Sequence, residues 1–193
     1  MSSEIIDFYN QYLDSFGVTD PSAVGWTNKN TQHTRFKALF DVGIKDYDTI
    51  LDYGCGLGHL NIYMTLNGYK NVKYFGIDIN PHYISMASMM FKDQNFAVSD
   101  IEDVNPDSEF DYVIGSGVFT YGITLDQVVS KVESAFQLCK KGAAFNFLNE
   151  ESEIYGLITY NKEQVIEALS HIGNLSLSDT YLGKEDFTIY IKK

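Results

Sequence analysis

The chain opens with apolar residues at helical spacing. Ile5, Ile6, Phe8, Tyr9, Tyr12, Leu13 and Phe16 share one face, with Ser3 placed to cap the start and Gly17 to stop it. This predicts an amphipathic lead helix. From Gly17 to Asn30 the periodicity is lost in GVTDPSAVGWTNKN, a stretch rich in turn formers that holds Trp26, the only tryptophan. Loops of that length tend to be functional or mobile. A second helix follows in TQHTRFKALFDVG, where Phe36, Leu39 and Phe40 form an apolar stripe and Gln32 and Arg35 flank it.

After Asp48 the period alternates between that of strands and that of helices. TILDYG, VKYFGIDI, NFAVSD, FDYVIGSG and GAAFNFL read as strands, and GLGHLNIYMTLNGY, PHYISMASMMF and LDQVVSKVESAFQLC as helices. Alternation of this kind predicts a mainly parallel sheet covered on both faces, which is why its strands look uniformly apolar. The last quarter differs. KEQVIEALSHI is a short helix, but LSLSDTYL and DFTIYIKK are strands separated only by Gly183, Lys184 and Glu185, a connection short enough for an antiparallel hairpin.

Composition narrows the class. The 193 residues hold 45% hydrophobic side chains, enough for one sizeable core, and 14 Lys+Arg against 26 Asp+Glu give a net charge of −12. Scattered lysines in an acid excess argue against a nucleic-acid surface. Two distant cysteines, Cys55 and Cys139, build neither a disulfide framework nor a four-cysteine zinc site. An acidic start and the lack of a long apolar run predict a soluble, cytoplasmic protein without membrane association.

The chemistry concentrates in LDYGCGLGHL, where Gly54, Gly56 and Gly58 stand at a strand-to-helix turn. Asp52 precedes the first glycine by two residues, and Asp78 ends the next strand twenty residues after Gly58, where an acid can hold ribose hydroxyls. Such a turn suits a dinucleotide or an adenosyl cofactor. A dinucleotide fingerprint wants G-x-G-x-x-G, however, and this chain has G-x-G-x-G behind a strand aspartate that would repel pyrophosphate and suit an amine-bearing ligand. The balance falls to S-adenosylmethionine.

Over residues 48–120 the sequence resembles the class I S-adenosylmethionine-dependent methyltransferases. LDYGCGLG resembles their first motif, GIDINP the second, SDIED the third and FDYVIGSGVF the fourth, in order. The resemblance implies a three-layer, doubly wound, Rossmann-like α/β fold: a seven-stranded, mainly parallel sheet ending in an antiparallel hairpin. The length suits a single domain, expected to comprise N-terminal helices and a lid loop in 1–47, a cofactor-binding core in 48–149, and a C-terminal helix and hairpin in 150–193. The turn of Gly54, Cys55, Gly56 and Gly58 would cradle the methionine part of the cofactor, with Asp52 near its amino group. Asp78 would bind the ribose, Ile79 would pack on adenine, Asp100 would accept from the adenine amino group beside the backbone of Ile101, and Ser116 and Gly117 would border the methyl-transfer pocket. The fourth motif lacks the Asn/Asp-Pro-Pro-Tyr element, so adenine-N6 and glutamine methylation lose weight. No metal is expected.

Other residues carry two readings each. Arg35 either reaches the methionine carboxylate or pairs at the surface with Asp41 or Asp46. Trp26 either closes over the cofactor or anchors its loop. His33 and His59 fall nearest the expected site and His33 is a candidate base, whereas His82 and His171 read as exposed. Asn146 lies in an apolar strand and needs a partner, from the core or from an acceptor substrate. Tyr121, Tyr155 and Tyr160 follow strand ends and are candidates for the acceptor wall. Cys55 and Cys139 read as packing groups, and Asp103, Asp107 and Asp111 as surface. The expected reaction is methyl transfer from S-adenosylmethionine, leaving S-adenosylhomocysteine, to a small-molecule acceptor by in-line displacement. An aminopropyltransferase-type enzyme on the same scaffold, or a cofactor-sensing module without turnover, are the alternatives.

Overall fold

The computed structural model describes residues 2–152 and 156–193. Among the described residues, six α-helices and seven strands follow in the order α1 (Ser2–Phe16), α2 (Lys29–Phe40), β1 (Thr49–Tyr53), α3 (Leu60–Leu66), β2 (Lys73–Asp78), α4 (Pro81–Met90), β3 (Asn95–Val98), β4 (Phe110–Gly115), α5 (Leu125–Leu138), β5 (Cys139–Leu148), α6 (Lys162–Leu169), β6 (Asn174–Ser178) and β7 (Asp186–Lys192). The strand order is β3-β2-β1-β4-β5-β7-β6. β7 runs antiparallel to both β5 and β6, and the other strand pairs are parallel. This is the doubly wound, seven-stranded arrangement expected from the sequence.

The period-2 alternation of each central strand divides the core into two layers. Leu51, Val113, Phe145 and Phe187 pack on one face with Val128, Val132 and Leu169 of α5 and α6. Ile50, Ile114, Ala144 and Tyr190 pack on the other with Phe36, Leu39 and Phe40 of α2 and Tyr63 of α3. The sequence stripe on α2 is therefore the buried one. Asn28 caps that helix, its side chain accepting from the Thr31 N–H at 3.0 Å.

Three boundaries differ from expectation. α3 is only the seven residues Leu60–Leu66, because the glycine turn uses the residues up to His59. β5 starts at Cys139, directly after α5, rather than at Gly142. β6 stops at Ser178, so the link into β7 runs over 179–185 and the tight three-residue hairpin is not formed. Thr180 and Tyr181 are drawn out of the strand because the Tyr181 hydroxyl turns inward, accepting from Thr188 Oγ1 at 2.8 Å. The Ser3 side chain and Tyr155 lie outside the described residues.

The segment before α2 is held down rather than loose. Asp20 caps a short 3-10 turn at Pro21–Val24, and Gly25, with φ of +82°, ends it. The Tyr83 hydroxyl on α4 donates to Ala23 O at 2.6 Å and lies 3.0 Å from Tyr9 O, so one phenol ties the loop to α1. Asn80 Nδ2 adds a bond to Asn10 Oδ1 at 3.0 Å. Across the sheet, Phe8 of α1 stacks on Tyr121, with centroids 4.9 Å apart and planes at 19°. The lead helix thus lies over the carboxyl ends of the strands. Among the described residues, no helix is long and apolar enough to cross a membrane.

Candidate active site

A cavity of about 760 Å³ opens at the carboxyl ends of the parallel strands, where doubly wound sheets place their ligands. That volume falls within the roughly 300–1,000 Å³ range of small-molecule sites. Its floor is the turn after β1. Gly54 and Cys55 both donate backbone N–H groups to Ile77 O, at 2.9 and 3.0 Å, and Gly56 donates to Asp78 Oδ2 at 2.9 Å. The turn is thereby clamped to the end of β2.

The three glycines are needed because each has positive φ, +72°, +53° and +74° for Gly54, Gly56 and Gly58. The space their missing side chains leave is used by protein. A Cβ on Gly54 would sit 2.7 Å from Val118 Cγ2, and one on Gly56 would sit 3.0 Å from Val24 Cγ1. At Gly58 the neighbour is Phe96, also at 3.0 Å. Gly54, Cys55 and Gly56 nevertheless present their backbone to the cavity, whereas Gly58 does not line it. Gly58 is a packing glycine, which corrects its expected contact with a ligand.

Three aspartates line the cavity, in three electrostatic settings. Asp52 is almost fully buried on β1, and its Oδ2 accepts from the Tyr74 hydroxyl at 2.8 Å. Burial pushes its carboxyl up to about 7, the Tyr74 hydrogen bond pulls it down, and nearby Asp78 pushes it up further. Asp78 accepts from Gly56 N and from Asn80 N, the latter at 2.8 Å, yet burial still outweighs these bonds and raises its pKa. Asp100 accepts from Lys131 Nζ at 2.6 Å, from Tyr53 OH at 2.9 Å and from Ile101 N at 2.7 Å. Burial alone would raise its carboxyl; Lys131, Tyr53 and the backbone together outweigh that and hold it low. The cavity therefore offers one carboxyl poised near neutrality and one firmly ionised.

Most of the residues singled out from the sequence converge here. Trp26, Arg35, Asp52, Gly54, Cys55, Gly56, Asp78, Ile79, Asp100, Ser116, Gly117 and Tyr121 all line the cavity. Ile101 lies beneath it, 1% exposed, with its N–H turned to Asp100. Among the described residues, no group of three or more His, Cys, Asp or Glu converges as a metal site.

The candidate base, the other histidine near the site, Asn146 and Tyr160 fall in different surroundings, while Tyr121 lines the cavity. The structure places His33 on the far side of α2, its ring 5.6 Å from that of Tyr63 and 6.3 Å from Phe36, away from the cavity. His59 does line the cavity, but both of its nitrogens are engaged: Nε2 donates to Val18 O at 2.9 Å and Nδ1 faces Gln32 Nε2 at 3.3 Å. Burial lowers the pKa of both rings. Asn146 is a core residue. Its Oδ1 accepts from Ser116 Oγ at 2.9 Å and its Nδ2 donates to Thr188 Oγ1 at 2.7 Å. Tyr160 is likewise packed inside, donating to Phe119 O at 2.6 Å.

Arg35 follows neither surface pairing, since Asp41 binds Lys37 and Asp46 binds Asn71. It is 3% exposed, with its Nε against Asp186 Oδ2 and its Nη2 3.8 Å from Glu185 Oε2. Trp26 lies over it, the guanidinium carbon 4.6 Å from the ring centroid, and rests against Gly117, where a Cβ would come within 2.8 Å of the indole. Trp26 is thus anchored while also forming cavity wall. Asp111 is no loose surface acid either; it accepts from Thr49 N at 2.8 Å and ties β1 to β4. Tyr74, Lys131, Glu185 and Asp186 went unnoticed in the sequence because nothing local marks a strand tyrosine, a helix lysine or hairpin acids as cavity neighbours.

An open doubly wound sheet, a glycine turn clamped to an aspartate on the next strand, and a cavity across the switch point define a nucleoside-cofactor enzyme class. Residues 44–181 match the family described as a methyltransferase domain, well over half of the chain. The chain belongs to this family, the class I S-adenosylmethionine-dependent methyltransferases. A malonyl-[acyl-carrier protein] O-methyltransferase of Acetivibrio thermocellus is 31% identical over 102 residues, which is 50% of this chain and 36% of that protein. The match therefore spans about a third of that relative's length. Among solved structures, the magnesium protoporphyrin IX methyltransferase of Synechocystis with bound S-adenosylhomocysteine superposes with a TM-score of 0.73 at 12% identity, covering all of both chains. A TehB-like methyltransferase from Corynebacterium glutamicum gives 0.67 at 16% identity, covering 99% of this chain and all of the other. At these identities what is shared is the fold.

Proposed function

We propose that the protein binds S-adenosylmethionine across the cavity and transfers its methyl group to a small-molecule acceptor. The observation that carries this reading is the convergence of Asp52, Asp78 and Asp100 on one cavity floored by the Gly54–Gly56 backbone. The donor set fits the cofactor's parts. A buried carboxyl near neutrality suits the methionine ammonium, a carboxylate anchored at a strand end suits ribose hydroxyls, and the ionised Asp100 beside Ile101 suits an exocyclic amine.

When bound, the cofactor supplies an electrophilic methyl group on a cationic sulfur. The chain's own residues supply position and dryness. Arg35, facing the cavity under Trp26, offers its guanidinium to the methionine carboxylate. Phe8, Tyr9 and Tyr12 of α1 roof the cavity and exclude water, which strengthens every charge contact inside. Because no free histidine faces the space, alignment rather than proton transfer carries most of the rate enhancement.

Calorimetric titration tests the reading. S-adenosylmethionine and S-adenosylhomocysteine are expected to bind and NAD is not. Asp78→Ala is expected to weaken binding 10- to 100-fold, about 1.4–2.8 kcal/mol. Binding of NAD in preference to the adenosyl ligands would refute it.

A further inference from the structure

Each end of the cavity carries its own acids and one cation. In the order β3-β2-β1-β4-β5-β7-β6, Asp78 and Asp100 lie toward β2 and β3, on one side of β1 and β4. Leu148 closes β5 and pairs in register with Asp186 at the start of β7, so Leu148, Glu185 and Asp186 lie toward the other side. If the cofactor's adenosine takes the first end and its carboxylate reaches as far as Arg35, as proposed above, the space beside Glu185 is left for the acceptor.

At this second end one cation faces two acids. Arg35 pairs with Asp186, which is 1% exposed, while Glu185 stands 54% exposed on the cavity wall and only 3.8 Å at its nearest from the same guanidinium. The other cavity-lining cation, Lys131, is held by Asp100 and Glu102 at 2.6 and 3.0 Å and sits at the opposite end. Asp186 Oδ1 is buried without a hydrogen-bond donor. Asp186 also borders a small void of about 10 Å³, together with Trp26, Thr120 and Leu148, which also line the main cavity. A buried carboxylate lacking a donor calls for one.

We infer that the acceptor carries a protonated amine, received at the β5–β7 end of the cavity by the carboxylate of Glu185 with Asp186 behind it. Two carboxylates against one guanidinium leave a surplus negative charge there. The cofactor's own carboxylate would add to it. An anionic acceptor would meet repulsion and no uncommitted cation, whereas an ammonium finds a charge partner beside an indole face.

The test uses the 193-residue chain saturated with S-adenosylhomocysteine, titrated with three probes of matched shape: 2-phenylethylamine, 2-phenylethanol and 3-phenylpropionate. The amine is expected to bind at least tenfold more tightly than either of the others, with the advantage shrinking as salt rises. Glu185→Gln is expected to abolish that preference. Equal or tighter binding of the carboxylate or alcohol, no measurable binding of the amine, or a preference unchanged in Glu185→Gln would each overturn the inference. Failure to bind S-adenosylhomocysteine at the outset would instead overturn the cofactor reading.

Discussion

The phenol of Tyr74 donates to the buried carboxyl of Asp52 across the β1–β2 ladder at 2.8 Å. The pairing depends on a glycine. Ile50 pairs with Tyr74 and Asp52 with Gly76, so Tyr74 and Gly76 lie on one face, two residues apart. A Cβ on Gly76 would come within 2.7 Å of the Tyr74 hydroxyl, so only glycine lets the ring lean along the strand to reach the acid. Tyr74 thus positions the group proposed to meet the cofactor's ammonium.

Tyr74→Phe removes a bond that favours ionised Asp52, and its carboxyl is expected to rise above the present value of about 7. A hydrogen bond to a charged group is worth about 1.5–3 kcal/mol, so the acid limb of S-adenosylmethionine affinity should move up by about one pH unit or more. Titrations between pH 5.5 and 8.5 measure it. 5′-Methylthioadenosine, which lacks the ammonium, should show no such shift.

Asp52 also sets a pH dependence of stability. Its pKa of about 7 in the folded chain lies above an unfolded value near 3.9, so the folded state holds the proton more tightly. Its contribution to stability is therefore greatest below the unfolded value and is lost as pH rises toward 7. Asp52→Asn, which cannot ionise, is expected to stabilise the ligand-free protein by about 1–3 kcal/mol at pH 8 and to change little at pH 4. Thermal unfolding at the two pH values checks the sign. The same variant should bind S-adenosylmethionine more weakly at pH 8.

Gly58→Ala separates packing from ligand contact. The added Cβ meets Phe96 at 3.0 Å and Phe91 at 3.2 Å, at a φ of +74°. Left-handed strain and overpacking together predict a loss of about 2–4 kcal/mol in denaturant unfolding. Cofactor affinity of the folded fraction should change far less than in Asp78→Ala.

His33→Ala is expected to leave cofactor affinity and methyl transfer within about twofold of the parent, since the ring faces Tyr63 and Phe36 rather than the cavity. The loss of those ring contacts should cost about 0.5–1.5 kcal/mol of stability. A fall in turnover of a hundredfold at unchanged stability would restore His33 as a base.

What the sequence determined by itself is everything carried by local periodicity. Strand and helix alternation, the capping residues, and the glycine turn with Asp52 and Asp78 at fixed spacing follow from short-range sterics that neighbouring residues impose on one another. Short-range rules place Asp52 at a strand end but say nothing of Tyr74, because that contact needs a strand pairing and a glycine opposite. The same limit explains His33, whose helix could be read while its rotation toward α3 could not. Arg35 finds Asp186 and Glu185 some 150 residues away, a meeting fixed only when β7 inserts beside β5. The tertiary structure alone decided which acids met which bases. Charge pairing depends on distances in space, and sheet order rather than chain order sets those distances.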